Sequence, residues 1–307
     1  MGLAPDQVRP FLASLHTCGY SGEVVLLVNR RLRRRLRTDR LGPGIRLVHA
    51  RSLLPLSYRR LFGNRALWTL WRPVQSSAWT MMKLTQGFPV PAHARRLLQL
   101  SVARMVCTPM EARFLHYLRF LDAGGYDRVV LTDVRDVLFQ RDPCEDIPTD
   151  GLAVSIETRR YTVGSEPHNR MWVGEIFGPE LLEQIGPNPV SCVGVTYGDI
   201  RAVSRYLELM SREILRLSAK AARNGGADTA IHNVLLWTEQ LGEVQLLDAL
   251  ASPVATLNGI SEDEVTLSSR RTLLNRDGTE PSIVHQYDRV PKLAPALLGS
   301  LTAAPTP

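Results

Sequence analysis

The segment EVVLLV (Glu23–Val28), an unbroken apolar run between turn residues, leaves few architectures open to this chain. Such a run suits a strand buried on both faces, as in sheets covered by helices above and below. The stretch after it, NRRLRRRLRTDR, places Leu32 and Leu36 four apart and reads as a basic helix with its leucines turned inward. GIRLVHA (Gly44–Ala50) then reads as a second strand. This βαβ rhythm predicts parallel strands joined by a crossover helix, and so an α/β fold. Ahead of it, Val8, Phe11, Leu12 and Leu15 fall at helical spacing between Pro5 and Gly19.

At 307 residues, 44% hydrophobic and 22% charged, the chain can bury a full core, which excludes disordered and collagen-like classes. It lacks an apolar run long enough to predict a spanning helix. The N-terminus has no charged segment leading into an apolar one, so no secretory signal is read and a cytoplasmic location is expected. Cys18, Cys107, Cys144 and Cys192 stand far apart, outside any CxxC or Cys/His cluster. They read as reduced thiols rather than zinc ligands or a disulfide framework. With no internal repeat and no clear linker, one domain over residues 1–292 is the economical reading, followed by a loose tail over 293–307.

Charge is unevenly distributed. Residues 1–110 carry 18 Lys/Arg against Asp6, Glu23 and Asp39, whereas the remainder carries 19 basic against 27 acidic residues. A basic half facing an acidic half suggests an anionic ligand or surface on the N-terminal side. Within that half, residues 53–105 read as a basic helical insert, with helices at roughly 56–70 and 92–105 and a Pro-containing break, GFPVPAH, between them. Its mixture of Trp68, Trp71 and Trp79 with arginines fits core filling, an acceptor-binding lid or a peripheral membrane patch. Single-stranded nucleic acid also suits such a mixture, but no nucleic-acid motif accompanies it. Further on, helices are predicted over 110–123, 179–185, 199–218 and 227–240. Strands are predicted at CVGVTYGD and near 244–247 and 282–285.

The strongest local signal is RVVLTDVRD (Arg128–Asp136), an apolar strand ending in two carboxylates three positions apart. In a continuing strand these would point to opposite faces, so the chain must turn after Asp133 for them to converge. Ligands bind at the carboxyl ends of strands in open α/β sheets, and two carboxylates there suit a divalent ion with positions left for a diphosphate. The structural alternative has Asp133 capping a turn and Asp136 paired with Arg135 or Arg128.

The order βαβ, an Arg-bearing helix, then VVLTDVRDVLFQRDP resembles the glycosyltransferases of the GT-A fold, which use nucleotide-diphospho-sugars and a DxD-type motif. The likeness is greatest to a bacterial group with a TDVRD version, and it implies a Rossmann-type mixed sheet flanked by helices. In TDVRD, Asp136 matches the last Asp of the motif and Asp133 stands one residue further off than usual, with Arg135 between them. TPMEARFLHYLRFL resembles the helix that brings an Arg to the donor, here Arg113. SCVGVTYGD resembles the donor-sugar segment, matched by Cys192, Val193 and Gly194. GADTAIHNVLL resembles an element beside the sugar, with Asp228, Thr229 and Asn233 in the corresponding places. NRDGTEPSIVHQYDRVPKL resembles a C-terminal segment supplying a metal-ligating His, here His285, with Arg289 and Lys292 for the diphosphate.

The resemblance thus implies a divalent metal, Mn²⁺ or Mg²⁺, held by Asp133, Asp136 and His285. It also implies a UDP- or GDP-sugar donor and a carbohydrate or small-molecule acceptor, with Asp228 as the catalytic candidate. Asp228 alternatively reads as the N-cap of its helix, His285 as a core histidine, and Arg289 as the partner of Asp288. Three departures accompany the match. The first strand of the fold, which holds the nucleotide base, has no counterpart before Pro5. Cys192 replaces an Asn, and Thr229 replaces a Gln that in some retaining enzymes lies under the anomeric carbon. A non-catalytic domain of this fold binding an anionic surface, or a sugar nucleotidyltransferase, are the competing readings. The latter would favour a Gly-rich loop with a Lys near the N-terminus, which the sequence lacks.

Overall fold

The computed structural model describes residues 3–38, 44–50, 91–146, 150–217 and 225–302, with 41, 148 and scattered positions between 69 and 89. Helix α1 (Pro5–Thr17) leads into β1 (Val24–Val28), α2 (Arg30–Thr38) and β2 (Ile45–His49). β1 and β2 pair in parallel, from Val24 opposite Ile45 to Val28 opposite His49, as the βαβ rhythm requires. Leu32 and Leu36 of α2 are buried while Arg31, Arg34 and Arg35 are exposed, since the four-residue spacing puts both leucines on one side. In β1, Leu26 and Val28 are buried, but Val24, Val25 and Leu27 are only half-buried. Burial on both faces, expected from the apolar run, is incomplete: among the described residues β1 pairs on one edge, with β2.

The central sheet has the order β3-β6-β5-β7, formed by β3 (Arg128–Thr132), β6 (Ser191–Asp199), β5 (Leu152–Ile156) and β7 (Val244–Asp248). β6 runs antiparallel to both neighbours, and β5 pairs with β7 in parallel, so the sheet is mixed. A smaller sheet, β4-β11-β8, joins β4 (Val137–Phe139), β11 (Ile283–His285) and β8 (Val254–Thr256). β9 (Thr266–Leu267) and β10 (Leu273–Leu274) form a short antiparallel pair.

Helices cover both faces, giving an α/β domain of mixed sheets flanked by helices. On one face α3 (Ala92–Val106), α4 (Pro109–Leu121), α7 (Ile200–Arg216) and α8 (Ala227–Trp237) bury Leu152 and Val154 of β5. On the other, Ala153 joins Val8, Phe11 and Leu15 of α1, and Phe11 meets the Phe139 ring edge-on at 5.2 Å. Alternate residues of β5 therefore enter different cores, the pattern of a doubly covered strand. The pair α5 (Pro167–Phe177) and α6 (Pro179–Ile185) packs beside α8.

The predicted strands and helices from residue 92 onward occur, with boundaries shifted by at most three residues. β4, β5, β8 and α5 were not anticipated. One expectation is overturned: the tail beyond 293 is not loose, because α9 (Leu293–Thr302) buries Leu293 and Leu297 against Tyr287 and Val290. Residues 303–307 lie outside the described residues, as do positions 56–68 of the helix expected at roughly 56–70 and Trp68, Trp71 and Trp79 of the basic insert. Among the described residues, no helix is long and apolar enough to cross a membrane.

Candidate functional site

The segment 133–136 carries the chain from one sheet to the other. Asp133 still belongs to the β3–β6 ladder, its N–H donating to the Gly194 carbonyl at 2.8 Å. After Val134 and Arg135 the chain enters β4, whose antiparallel register sets Val137 opposite His285, the last residue of β11. Gln286, in the left-handed region at φ 58°, donates its N–H to the Asp136 carbonyl at 2.7 Å and closes that end. One sheet thus delivers Asp133 and the other delivers Asp136 and His285 to the same seam. Ligand atoms of the three lie within 4.8 Å of one another. The convergence required a turn after Asp133, and the crossing between sheets is that turn.

One oxygen of each carboxylate is held by an arginine. Arg113, from α4, donates through Nη1 to Asp133 Oδ1 and through Nη2 to Asp228 Oδ2, the latter at 2.9 Å. Arg135 donates to Asp136 Oδ2 at 3.0 Å and to Asp288 at 2.7 Å. Asp133 Oδ2 remains on the His285 side, above Gly194. A Cβ on Gly194 would stand 3.1 Å from that oxygen and 2.6 Å from His285 Nε2, besides colliding with His285 Cε1. Glycine is needed here for space.

Behind the imidazole, Cys192 Sγ lies 3.7 Å from His285 Nδ1, and the thiol also hydrogen-bonds to Glu157. A thiol that donates to Glu157 can accept from Nδ1–H, which leaves the Nε2 lone pair facing the carboxylates. Burial holds His285 below its ordinary value against the opposing pull of Asp133 and Asp136, so the ring is neutral near pH 7. Burial likewise raises Asp136, with His285 opposing and Asp133 adding to the rise. Two carboxylates and a neutral imidazole with one ligand atom each inside 4.8 Å of the others are a donor set that fits a hard divalent ion.

Asp228 is buried, and burial raises its carboxyl while Arg113 pulls it down. It is not the N-cap: Gly226 caps α8, and Asp228 is the second helical residue, its Oδ1 accepting from Thr229 N–H at 3.0 Å. Arg113 is raised despite its burial, because Asp133 and Asp228 flank it. Its own placement is local in origin: Thr108 and Glu111 cap α4 reciprocally around Pro109, which aims the next turn at the end of β3.

These groups line one cleft of about 1020 Å³, together with Val193, Thr229, and the exposed Arg289 at its rim. Two expected site residues lie elsewhere. Lys292 is exposed and pairs with Glu262 at 2.8 Å, since the chain has already turned toward α9. Asn233 is buried and brackets the backbone of Ser191 from both sides, a packing role. Asp288 pairs with Arg135 and not with Arg289. The cleft also holds Glu157, Asn258 and Gln286, which the sequence reading did not single out. Asn258 donates through Nδ2 to Glu157 at 2.7 Å and through its backbone N–H to Gln286 Oε1 at 3.2 Å. Each closely follows a short apolar strand (β5, β8, β11); the rule that ligands bind at strand carboxyl ends flags Glu157 and Asn258 only once β5 and β8 are known, whereas Gln286 directly follows the strand predicted near 282–285.

Neither a protein-family model nor a curated protein sequence matches the chain.

Proposed function

We propose that the protein is a divalent-metal-dependent glycosyltransferase that moves a sugar from a nucleotide-diphospho-sugar to a carbohydrate or small-molecule acceptor. The observation that carries this reading is the convergence of Asp133, Asp136 and His285 from two sheets at the mouth of a cleft with arginines on its walls.

Asp133, Asp136 and His285 would hold the ion, which when bound neutralises charge on the diphosphate as the sugar–phosphate bond breaks. The remaining steps belong to the protein's side chains. Arg113 holds Asp133 and Asp228 in a fixed relation, so carboxylates from β3 and α8 face the same space. Arg135 and Arg289 set positive charge at the rim, where a diphosphate enters. Asp228, anchored by Arg113 and the Thr229 N–H, is placed to orient a sugar hydroxyl or to stabilise an electron-poor anomeric carbon. Glu157 and Asn258 offer a second polar pair across the cleft for the sugar or the acceptor.

Titration of UDP and GDP with Mn²⁺ and with EDTA tests the binding half of this reading. Affinity should be at least about tenfold higher with the ion, because the carboxylates otherwise repel the phosphates. Asp136→Ala should erase that difference. Hydrolysis or transfer with a panel of UDP- and GDP-sugars tests the catalytic half. Metal-independent nucleotide binding, or an Asp136→Ala variant that binds like the parent, would remove the basis of the assignment.

A further inference from the structure

The basic insert takes no part in the chemistry above. Its sequence suits core filling, an acceptor-binding lid or a peripheral membrane patch, and exposure bears on each of these. Among its described residues Leu70, Val74, Met81, Leu84 and Leu98 are exposed, Leu70 at 76%, Met81 at 57% and Leu84 at 62%. These side chains do not fill the core. Nor do they form a wall of the cleft, which among the described residues takes no lining between Leu32 and Pro109.

The described helical residues from 69 to 84 are all exposed except Ala78, which joins Leu100, Ala103 and Phe114 in the core and ties the stretch to the domain. None of those described residues carries a charge. Val74, Ser77, Met81 and Leu84 stand three, four and three residues apart, the spacing that keeps helical residues on one side. Single exposed apolar residues are ordinary, but an aliphatic row on an uncharged helix face marks an interaction surface.

Charge selects the occupant. From 40 to 110 the chain holds eleven Lys/Arg and no Asp or Glu, and Arg72 and Lys83 stand within two residues of Val74 and Leu84 in sequence. Arg46 and Arg96 pair with carboxylates from other segments, which leaves a large positive excess. Two copies meeting through this face would bring like charges together. Single-stranded nucleic acid would match the charge, but it is gripped by aromatic rings, and the described exposed side chains here are aliphatic. Aliphatic side chains beside basic residues match the boundary between acyl chains and anionic headgroups. We propose that the exposed face bearing Val74, Met81 and Leu84 docks the protein peripherally on an anionic lipid bilayer. The aliphatic side chains enter the headgroup–acyl boundary, and the positive charge of the insert draws them there. From the insert, α3 leads directly to Pro109 and Met110 on the cleft wall, so docking holds the cleft near the bilayer.

Co-sedimentation of the full chain with vesicles tests this and needs neither metal nor nucleotide-sugar, so its result is separate from that of the nucleotide titrations. Vesicles of phosphatidylcholine with about one-third phosphatidylglycerol should bind at least about tenfold more tightly than phosphatidylcholine alone, and lose that advantage as salt is raised. Met81→Glu with Leu84→Glu should lower binding to the anionic vesicles by about tenfold or more and leave the thermal midpoint unchanged, since both side chains already stand in water. Met81→Leu with Leu84→Met should bind like the parent. Equal binding to the two kinds of vesicle, or a glutamate variant that binds like the parent, overturns the proposal. So does a midpoint lowered both in that variant and in the milder Met81→Gln, Leu84→Gln pair, which would show the side chains packed inside. A parent dimer that the glutamate variant turns monomeric would assign the face to a second copy. Single-stranded DNA bound more tightly than the anionic vesicles would assign it to nucleic acid. Either result overturns the bilayer.

Discussion

His285 shows how much of the site depends on single atoms. Its Nδ1 side rests on Cys192, its Nε2 side lies over Gly194, and its ring is held between two strands that pair with β11. Cys192, which replaces an Asn of the family the chain resembles, stands behind this imidazole and links it to Glu157. Cys192→Ser should keep Mn²⁺ affinity close to that of the parent, since a hydroxyl can pass on the same hydrogen bonds. Cys192→Ala should weaken it by about tenfold or more, the usual effect of losing the group that orients a ligand. Gly194→Ala should be harsher, because its Cβ would displace the imidazole and press on Asp133. Calorimetric Mn²⁺ titrations of the three variants give this ranking, and a Cys192→Ala protein indistinguishable from the parent would show that the thiol only fills space.

Among the elements, α4 joins folding to the site. Its cap uses Glu111, which accepts from Thr108 N–H at 2.6 Å and is fully buried. Burial, with Asp228 adding to it, raises the Glu111 carboxyl to about 8 against the hydrogen bonds from Thr108. Because the folded value lies above the ordinary 4.5, the contribution of neutral Glu111 is complete below that pH and lost as pH rises through about 8. Stability should therefore fall across this window, and Glu111→Gln, which keeps the capping geometry without a charge, should flatten the fall and melt higher at pH 8. Urea midpoints at pH 5 and pH 8 for both proteins measure it. One turn on, Arg113→Ala would leave the buried Asp228 without its cation and the half-buried Asp133 without its partner, and should cost about 3 kcal/mol, chiefly through Asp228. Arg113→Lys should fold better but lose nucleotide affinity, since one ammonium cannot span Asp133 and Asp228 as a guanidinium does.

At the scale of the whole molecule, the C-terminal helix closes the smaller sheet. Leu293 and Leu297 of α9 pack on Leu138, Val284 and Tyr287, close to the site's own strands β4 and β11. Truncation after Val290 should cost about 3–6 kcal/mol, the burial of two leucines, and lower the thermal midpoint; an unchanged midpoint would show that α9 contributes no stability. The Pro-, Ala- and Leu-rich composition of this segment predicts a loose tail, and the apolar surface it covers explains its order. The same contrast runs through the fold. The runs EVVLLV and RVVLT, the leucines of α2 and the cap of α4 specify their elements locally, because backbone sterics and side-chain spacing act over a few residues. Alternation and capping cannot announce β5, five buried residues whose apolar run suits a strand or a helix equally until both cores are in place. The sequence by itself determined an α/β chain with an acidic strand end and an arginine helix before it. The meeting of Asp136 with His285, the void that Gly194 leaves for the imidazole, and the dismissal of Lys292 and Asn233 from the cleft were decided only by tertiary structure. Those outcomes depend on the register of β4 against β11 and on the crossing between two sheets, and strand register is settled by contacts between distant segments.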